Sequence, residues 1–345
     1  MRAVVWTGPG QVSVATVPDP VPIDDTDVVV AVRSAGICGT DLHVTGGHAP
    51  GMRPGTVLGH EFVGTVVAAG RAVRRVAVGA EVMSADFTAC GACWWCDRGE
   101  HWHCAHRQFF GTGGVFGPEL AGAQAEFVRV PFADTVLCPL PAGVSDAAAL
   151  LVGDNLATGW IACERGEVRP ADVVAVVGGG PVGQLVSLCA QTVGAAAVVV
   201  ADPVPERREM AKANGALGAD PAELRAVLDE LTDGRGADVV VEAVGNPVGL
   251  TAALAAVRRS GTLVSVGAHT ETTWPLPLAA TFAAELTLRF TIGDPIRARR
   301  ALLPLLAAGV LDPTFVVSHE LTLHQATEGY ALLRDRRATK VVLSV

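Results

Sequence analysis

The 345-residue sequence predicts an α/β protein, an all-β N-terminal region followed by a doubly wound parallel sheet. Three observations carry the prediction. Residues 1 to about 150 are short Val-rich runs broken by turns and isolated Gly, with one cysteine-rich lobe inserted. From about 155 to 293, β-branched runs alternate with Ala-rich helical stretches. A glycine-rich turn joins the first of those runs to the first of those helices. Half the residues are apolar and 18 % are charged, a globular balance, and the length suits about two domains.

Taken in order, "MRAVVWTGPGQVSVATVPDP" reads as short strands around Gly-Pro turns, without the charged, apolar and small-residue succession of a secretory signal. From Val173 to Ala201 there is no charged residue, a length that invites a membrane helix. Its centre is "GGGPVG" and its flanks "DVVAVV" and "AAVVVAD" are of strand length, so strand, turn, helix, strand is the better reading. "PERREMAKANGA", "ADVVVEAVG", "GLTAALAAVRRSG", "GTLVSVGA" and "LTLRFTIG" continue the alternation. Helices are expected around Ala298–Ala308 and His324–Arg334, and "TKVVLSV" reads as a last strand. A net charge of −9 argues against nucleic acid as a partner, and the expectation is a cytoplasmic protein with no membrane association.

Gly178, Gly180 and Gly183 form G-x-G-x-x-G after a strand, with Pro181 and Val182 opening the helix and Asp202 ending the next strand. In that context the glycines allow a tight turn, backbone approach to a pyrophosphate and close helix packing. Asp202 would accept from a ribose diol and repel a 2′-phosphate, favouring NAD over NADP. Arg207 and Arg208 keep NADP open, although a cation there serves a ribose equally well.

Cys90, Cys93, Cys96 and Cys104 are spaced C-x2-C-x2-C-x7-C. Four thiolates on one loop can close a tetrahedral shell, as in a structural zinc site; disulfides and an iron–sulfur cluster are the alternatives. His101, His103 and His106 lie in the same lobe and read as surface or packing residues. Cys38, His60 and Asp154 fall at strand ends or loops and would make a three-ligand site with an open position, though nothing in their spacing joins them. A helix cap is the alternative reading of Asp154.

"GHEFVGTVVAAG", "CGTDLH", the four-cysteine lobe and the later G-x-G-x-x-G, in this order over nearly the whole chain, resemble the zinc-dependent alcohol dehydrogenases of the medium-chain dehydrogenase/reductase superfamily. The resemblance implies a GroES-like, partly open β-barrel catalytic domain from residues 1–154 and 294–345, with a zinc lobe at about 88–106. It implies a Rossmann domain over 155–293. It implies two zinc ions per subunit: a catalytic one on Cys38, His60 and Asp154, and a structural one on the four lobe cysteines. Glu61 is similar to a family glutamate that approaches the catalytic metal, Thr40 to the hydroxyl that meets the substrate alcohol, and His43 to the outer end of a proton relay. Thr158 matches a residue packing behind the nicotinamide, Val266 is a further expected cofactor contact, and Arg207 matches a basic residue near the adenosine ribose and Lys340 one near the pyrophosphate.

The implied activity is NAD(H)-linked interconversion of an alcohol with an aldehyde or ketone, by hydride transfer from a zinc-bound alkoxide, in a homodimer or homotetramer. A zinc-containing reductase of a conjugated C=C or an iminium is the alternative, and Thr40 and His43 weigh against it. Asp86 stands where family members often carry an apolar pocket residue, and the expectation is a pocket with a polar or cationic preference.

Overall fold

In the computed structural model, residues 1–46 and 51–345 are described. The chain divides into two compact units, Met1–Asp154 with Asp294–Val345, and Asn155–Gly293.

The first unit is built on Val28–Ile37, ten residues of mostly β-branched and small side chains that are buried along most of their length. This strand pairs antiparallel with Phe62–Ala69, Phe127–Val130 and the C-terminal strand Lys340–Ser344, and the sheet continues through Glu81–Ser84 to Leu137–Pro139. The last strand therefore completes a sheet begun more than three hundred residues earlier, with Val341 opposite Ile37. The register of Val28–Ile37 against Phe62–Ala69 shifts twice, at Val29/Val30 and at Val32/Ser34. Such bulges bend and re-aim a strand, and here the bent strand delivers Cys38 at its end. The core beneath combines Val28, Val30, Phe62, Phe87 and Phe110 with two of the lobe cysteines, Cys96 and Cys104.

The second unit is a six-stranded parallel sheet. Its strands, in spatial order, are Leu217–Ala219, Ala197–Ala201, Val173–Val177, Ala237–Glu242, Val257–Ser265 and Thr287–Phe290. Counted along the unit this is 3-2-1-4-5-6, which reverses direction beside Val173–Val177 and opens a crevice at the carboxyl ends of the strands. Val173–Val177 is buried at every position, as expected of a parallel strand covered on both faces. The fold class is thus the one the alternating pattern predicts. One element differs: "GLTAALAAVRRSG" reads as a single helix, but the helix Pro247–Ala256 stops and the strand Val257–Ser265 begins inside it. Parallel pairing with Ala237–Glu242 overrides the local helical pattern there. Among the described residues, no helix is long and apolar enough to cross a membrane.

Candidate metal centre and nucleotide turn

Cys38 caps the helix Gly39–Thr45, His60 lies two residues before Phe62–Ala69, and Asp154 lies between the helices Asp146–Val152 and Asn155–Gly166. One ligand atom from each of Cys38, His60, Glu61 and Asp154 falls within 4.8 Å of all the others. The Cys38 thiol donates to Asp154 Oδ2 at 3.1 Å, and His60 Nε2 is 3.4 Å from the same oxygen. His60 is fully buried beside the Phe109 ring (5.2 Å), and among the described residues neither ring nitrogen has a hydrogen-bond partner of good geometry. Buried polar atoms are nearly always paired. A soft thiolate, an imidazole and a carboxylate converging on one point, with the imidazole nitrogens unsatisfied, suit a zinc ion.

The charges of the cluster are strongly perturbed. Burial disfavours a charged His60, but Asp41 and Asp154 outweigh it and push the imidazole well above its ordinary value. Burial also works against ionised Asp154, yet His60, Glu61 and Lys340 together hold its carboxyl below the usual range. Burial pushes the Cys38 thiol up, and the Asp154 charge adds to that. Glu61 is pushed up to about 7 by burial, with the Lys340 ammonium pulling the other way. Gly36 makes room for this acid: a Cβ at Gly36 would lie 1.8 Å from Glu61 Oε2.

Sequence reasoning missed Asp41. Its fully buried carboxylate accepts the Cys38 N–H through Oδ2 (2.9 Å), while Oδ1 faces His60 Nδ1 at 3.3 Å. Gln124 Nε2 donates to Gly36 O (2.8 Å) and to Asp41 Oδ2 (3.3 Å), and the Tyr330 hydroxyl donates to Gln124 Oε1 (2.9 Å). A carboxylate on Nδ1 fixes the tautomer that leaves Nε2 for a metal. Its only sequence signal is its place three residues after Cys38, which reads as helix capping. Asp41→Asn is expected to weaken zinc binding at this cluster by about 10- to 100-fold, the usual cost of losing such a partner, as measured by chelator competition. Zinc held by the lobe should be unaffected.

Lys340, expected near a pyrophosphate, is 1 % exposed and its ammonium is bonded to both carboxylate oxygens of Glu61. Thr40 and His43 lie on the helix that starts beside Cys38, Thr40 half-buried and His43 exposed.

In the lobe, the four cysteine sulfurs again lie within 4.8 Å of one another. The backbone N–H groups of Cys90 and His106 donate to Cys104 Sγ at 3.2 and 3.4 Å. Backbone donors led by Cys96 hold Cys93 down to about 6, whereas burial raises Cys96. Four sulfurs with N–H donors aimed at them fit a closed zinc shell. Among the described residues no histidine joins the set: His101 Nδ1 lies 2.9 Å from Asp294 Oδ2, and His103 packs on Trp95.

In the second unit, the strand Val173–Val177 runs into Gly178, whose φ is +101°, and then into the helix Pro181–Val193, capped by Gly180. Gly183 has to be glycine, since a Cβ there would come within 1.8 Å of Gly178 O. Among the described residues, a Cβ at Gly180 would meet nothing within 4 Å, which leaves room for a ligand to approach the backbone closely at the helix N-terminus. Asp202 accepts from Gly179 N–H (2.7 Å) and Val204 N–H (2.8 Å), with Arg207 Nη1 at 3.3 Å. Val266 follows the strand Val257–Ser265, and Thr158 is buried on the helix Asn155–Gly166. Also unforeseen is a buried network at the strand ends: Glu242 accepts from Val244 N–H, Gly245 N–H and the Ser265 hydroxyl, and Ser265 contacts His269.

Comparison with known proteins agrees with this architecture. Residues 24–142 match the alcohol dehydrogenase GroES-like domain, and residues 181–308 match the zinc-binding dehydrogenase domain. A Mycobacterium tuberculosis protein described as a probable zinc-binding alcohol dehydrogenase is 41 % identical over 97 % of this chain and 86 % of its own. The solved alcohol dehydrogenase from Thermus sp. ATN1 superposes with a TM-score of 0.96 at 39 % identity, covering 100 % of both chains. The solved zinc-dependent alcohol dehydrogenase 2 from Streptococcus pneumonia has a TM-score of 0.90 at 30 % identity, over 100 % of this chain and 98 % of that one. The chain belongs to the zinc-type alcohol dehydrogenase family of the medium-chain dehydrogenase/reductases.

Proposed function

We propose that the protein is a zinc-dependent, NAD(H)-linked alcohol dehydrogenase that interconverts an alcohol and an aldehyde or ketone. The observation that carries the reading is the convergence of Cys38, His60 and Asp154, three different ligand types, with the His60 nitrogens unsatisfied among the described residues. Zinc held there would supply a Lewis acid that acidifies an alcohol, and bound NAD would supply the hydride acceptor.

The chain's own residues do the rest. Asp41, facing His60 Nδ1, would hold a proton on that nitrogen and so present Nε2 to the metal. The Thr40 hydroxyl would accept the alcohol's proton while giving up its own, and His43, exposed on the same helix, would take up the relayed proton and release it to solvent. Glu61, tied to Lys340, stands beside the ligands as a carboxylate able to approach them when a ligand exchanges. The four lobe cysteines would hold a second zinc that shapes the lobe.

Gly178, Gly180 and Gly183, with Pro181 and Val182, would take the pyrophosphate at the helix N-terminus, and Asp202 the adenosine ribose beside Arg207. Thr158 and Val266 would flank the nicotinamide. The edge strand Thr287–Phe290 and the preceding segment leave Phe282 and Phe290 exposed at 86 % and 63 %, which supports self-association into a homodimer or homotetramer.

The test is a panel of primary and secondary alcohols with the zinc-loaded protein and either NAD or NADP, read at the absorbance of the reduced cofactor. Reduction of NAD that depends on alcohol is expected. Asp202→Ala should lower kcat/KM for NAD by about 10- to 100-fold, the value of one or two charge-assisted hydrogen bonds, and narrow its lead over NADP. Inertness toward every alcohol, with turnover of conjugated carbonyl compounds or iminium ions, would replace this reading by the reductase one.

A further inference from the structure

Asp86 is a buried acid beside the metal cluster that the chemistry above does not use. It follows the strand Glu81–Ser84 and is 6 % exposed. Two packings fix its place. Gly153, the neighbour of Asp154, lies so close to the strand end that a Cβ there would come within 2.6 Å of Ser84 O. On the other side, Phe110 N–H donates to the Asp86 carbonyl at 3.3 Å, Phe87 bridges to Phe109, and the Phe109 ring lies 5.2 Å from the His60 ring. Asp86 is thus flanked by the Asp154 and His60 sides of the cluster, and Asp154, His60 and Glu61 all act on its carboxyl electrostatically. Its Oδ1 is buried and has no hydrogen-bond partner among the described residues. A buried oxygen left unpaired is costly, and at a reaction centre it calls for a donor from outside the chain.

We propose that Asp86 selects substrates with a second hydroxyl close to the reacting one, so that vicinal diols and polyols are preferred over simple alkanols. The proposal rests on the alcohol-oxidising reading above. A hydroxyl suits Asp86 in either protonation state, because it both donates and accepts. A bare alkyl chain would leave Oδ1 unpaired, and sites built around a substrate hydroxyl discriminate against its absence far more strongly than apolar pockets discriminate by size. An ammonium substituent would carry a full charge into a buried site, which is unfavourable unless it is tightly paired.

The experiment compares kcat/KM for 1,2-propanediol, 1-propanol and 1-amino-2-propanol in zinc-loaded wild type, Asp86→Asn and Asp86→Leu, with zinc counted per chain for each. Wild type is expected to prefer the diol. In Asp86→Leu that preference should fall by about 10- to 100-fold, as 1-propanol improves and the diol worsens. Asp86→Asn, which keeps the shape, should fall between the two and covers the case in which the leucine variant does not fold. Wild-type zinc content in the variants supports a role toward substrate, whereas loss of an ion would make Asp86 part of the metal site and overturn the proposal. A diol-to-alkanol ratio that stays constant across the three proteins overturns it while leaving alcohol oxidation intact. Preference for the amino alcohol overturns it in favour of a cation site. A wild type that oxidises none of the three refutes the underlying reading, and this proposal with it.

Discussion

Asp154→Ala is expected to leave the chain with one zinc ion instead of two and to lower kcat/KM for alcohol oxidation by about a thousandfold or more. Lewis-acid catalysis contributes several kcal/mol of transition-state stabilisation, and about 4 kcal/mol corresponds to three orders of magnitude. Asp154 is the right residue to remove because the Cys38 thiol and His60 Nε2 both approach its Oδ2, at 3.1 and 3.4 Å. Cys38 and His60 alone cannot hold a zinc ion tightly, and Glu61, the other acid of the cluster, is engaged by the Lys340 ammonium. Removing Asp154 also strips His60 of one of the two carboxylates that raise its pKa. Elemental analysis and steady-state rates check both parts. Asp154→Cys supplies a thiolate at the same position and should recover the second zinc and most of the activity. If Asp154 only caps a helix, the alanine variant would instead keep two zinc ions and lose a little stability.

The parts of the protein legible in its sequence are those whose residues act on near neighbours. Strand and helix periods along 155–293 are local patterns, and the Gly178–Gly183 turn is one because its glycines meet each other: the Cβ that Gly183 lacks would clash with Gly178 O. The lobe cysteines are equally local, four ligands within fifteen residues. The other cluster is assembled from a strand end, a loop before a strand and a junction between helices. No local pattern in the sequence therefore joins its members; only the family resemblance does. Asp41 stayed hidden because a carboxylate three residues into a helix has an ordinary capping role, and its second oxygen reaches His60 only through tertiary structure. Lys340 heads a strand pattern in which a lysine usually faces water, yet the antiparallel pairing of Val341 with Ile37 carries it inside, against Glu61. The Asp86 oxygen is hidden for the same reason, since partnerlessness is a property of the folded environment.

The largest effect on stability is expected from Cys96→Ser. Cys96 is 8 % exposed and belongs to the same buried cluster as Phe87, Phe109 and Phe110. The lobe around it has little regular structure, chiefly the short 3-10 turns Cys96–Arg98 and His101–His103, so a shared zinc is what would order it. Isolated zinc-finger peptides draw about 10–16 kcal/mol of folding free energy from their ion. This lobe is also held by packing and by His101 on Asp294, so a smaller loss of about 4 kcal/mol is expected. For a unit of this size that lowers Tm by about 10 °C, measurable by calorimetry alongside a fall in zinc content of one ion per chain. The damage should also reach the reaction centre. Trp102 packs edge-on against Phe87 and Phe109, at 5.4 and 5.9 Å, and Phe109 packs on His60 at 5.2 Å. A loosened lobe therefore frees the aromatic wall that confines His60, and activity should fall even though the Cys38, His60 and Asp154 set is itself unchanged. A variant that keeps wild-type Tm and rates after losing the lobe ion would show that packing alone orders the lobe.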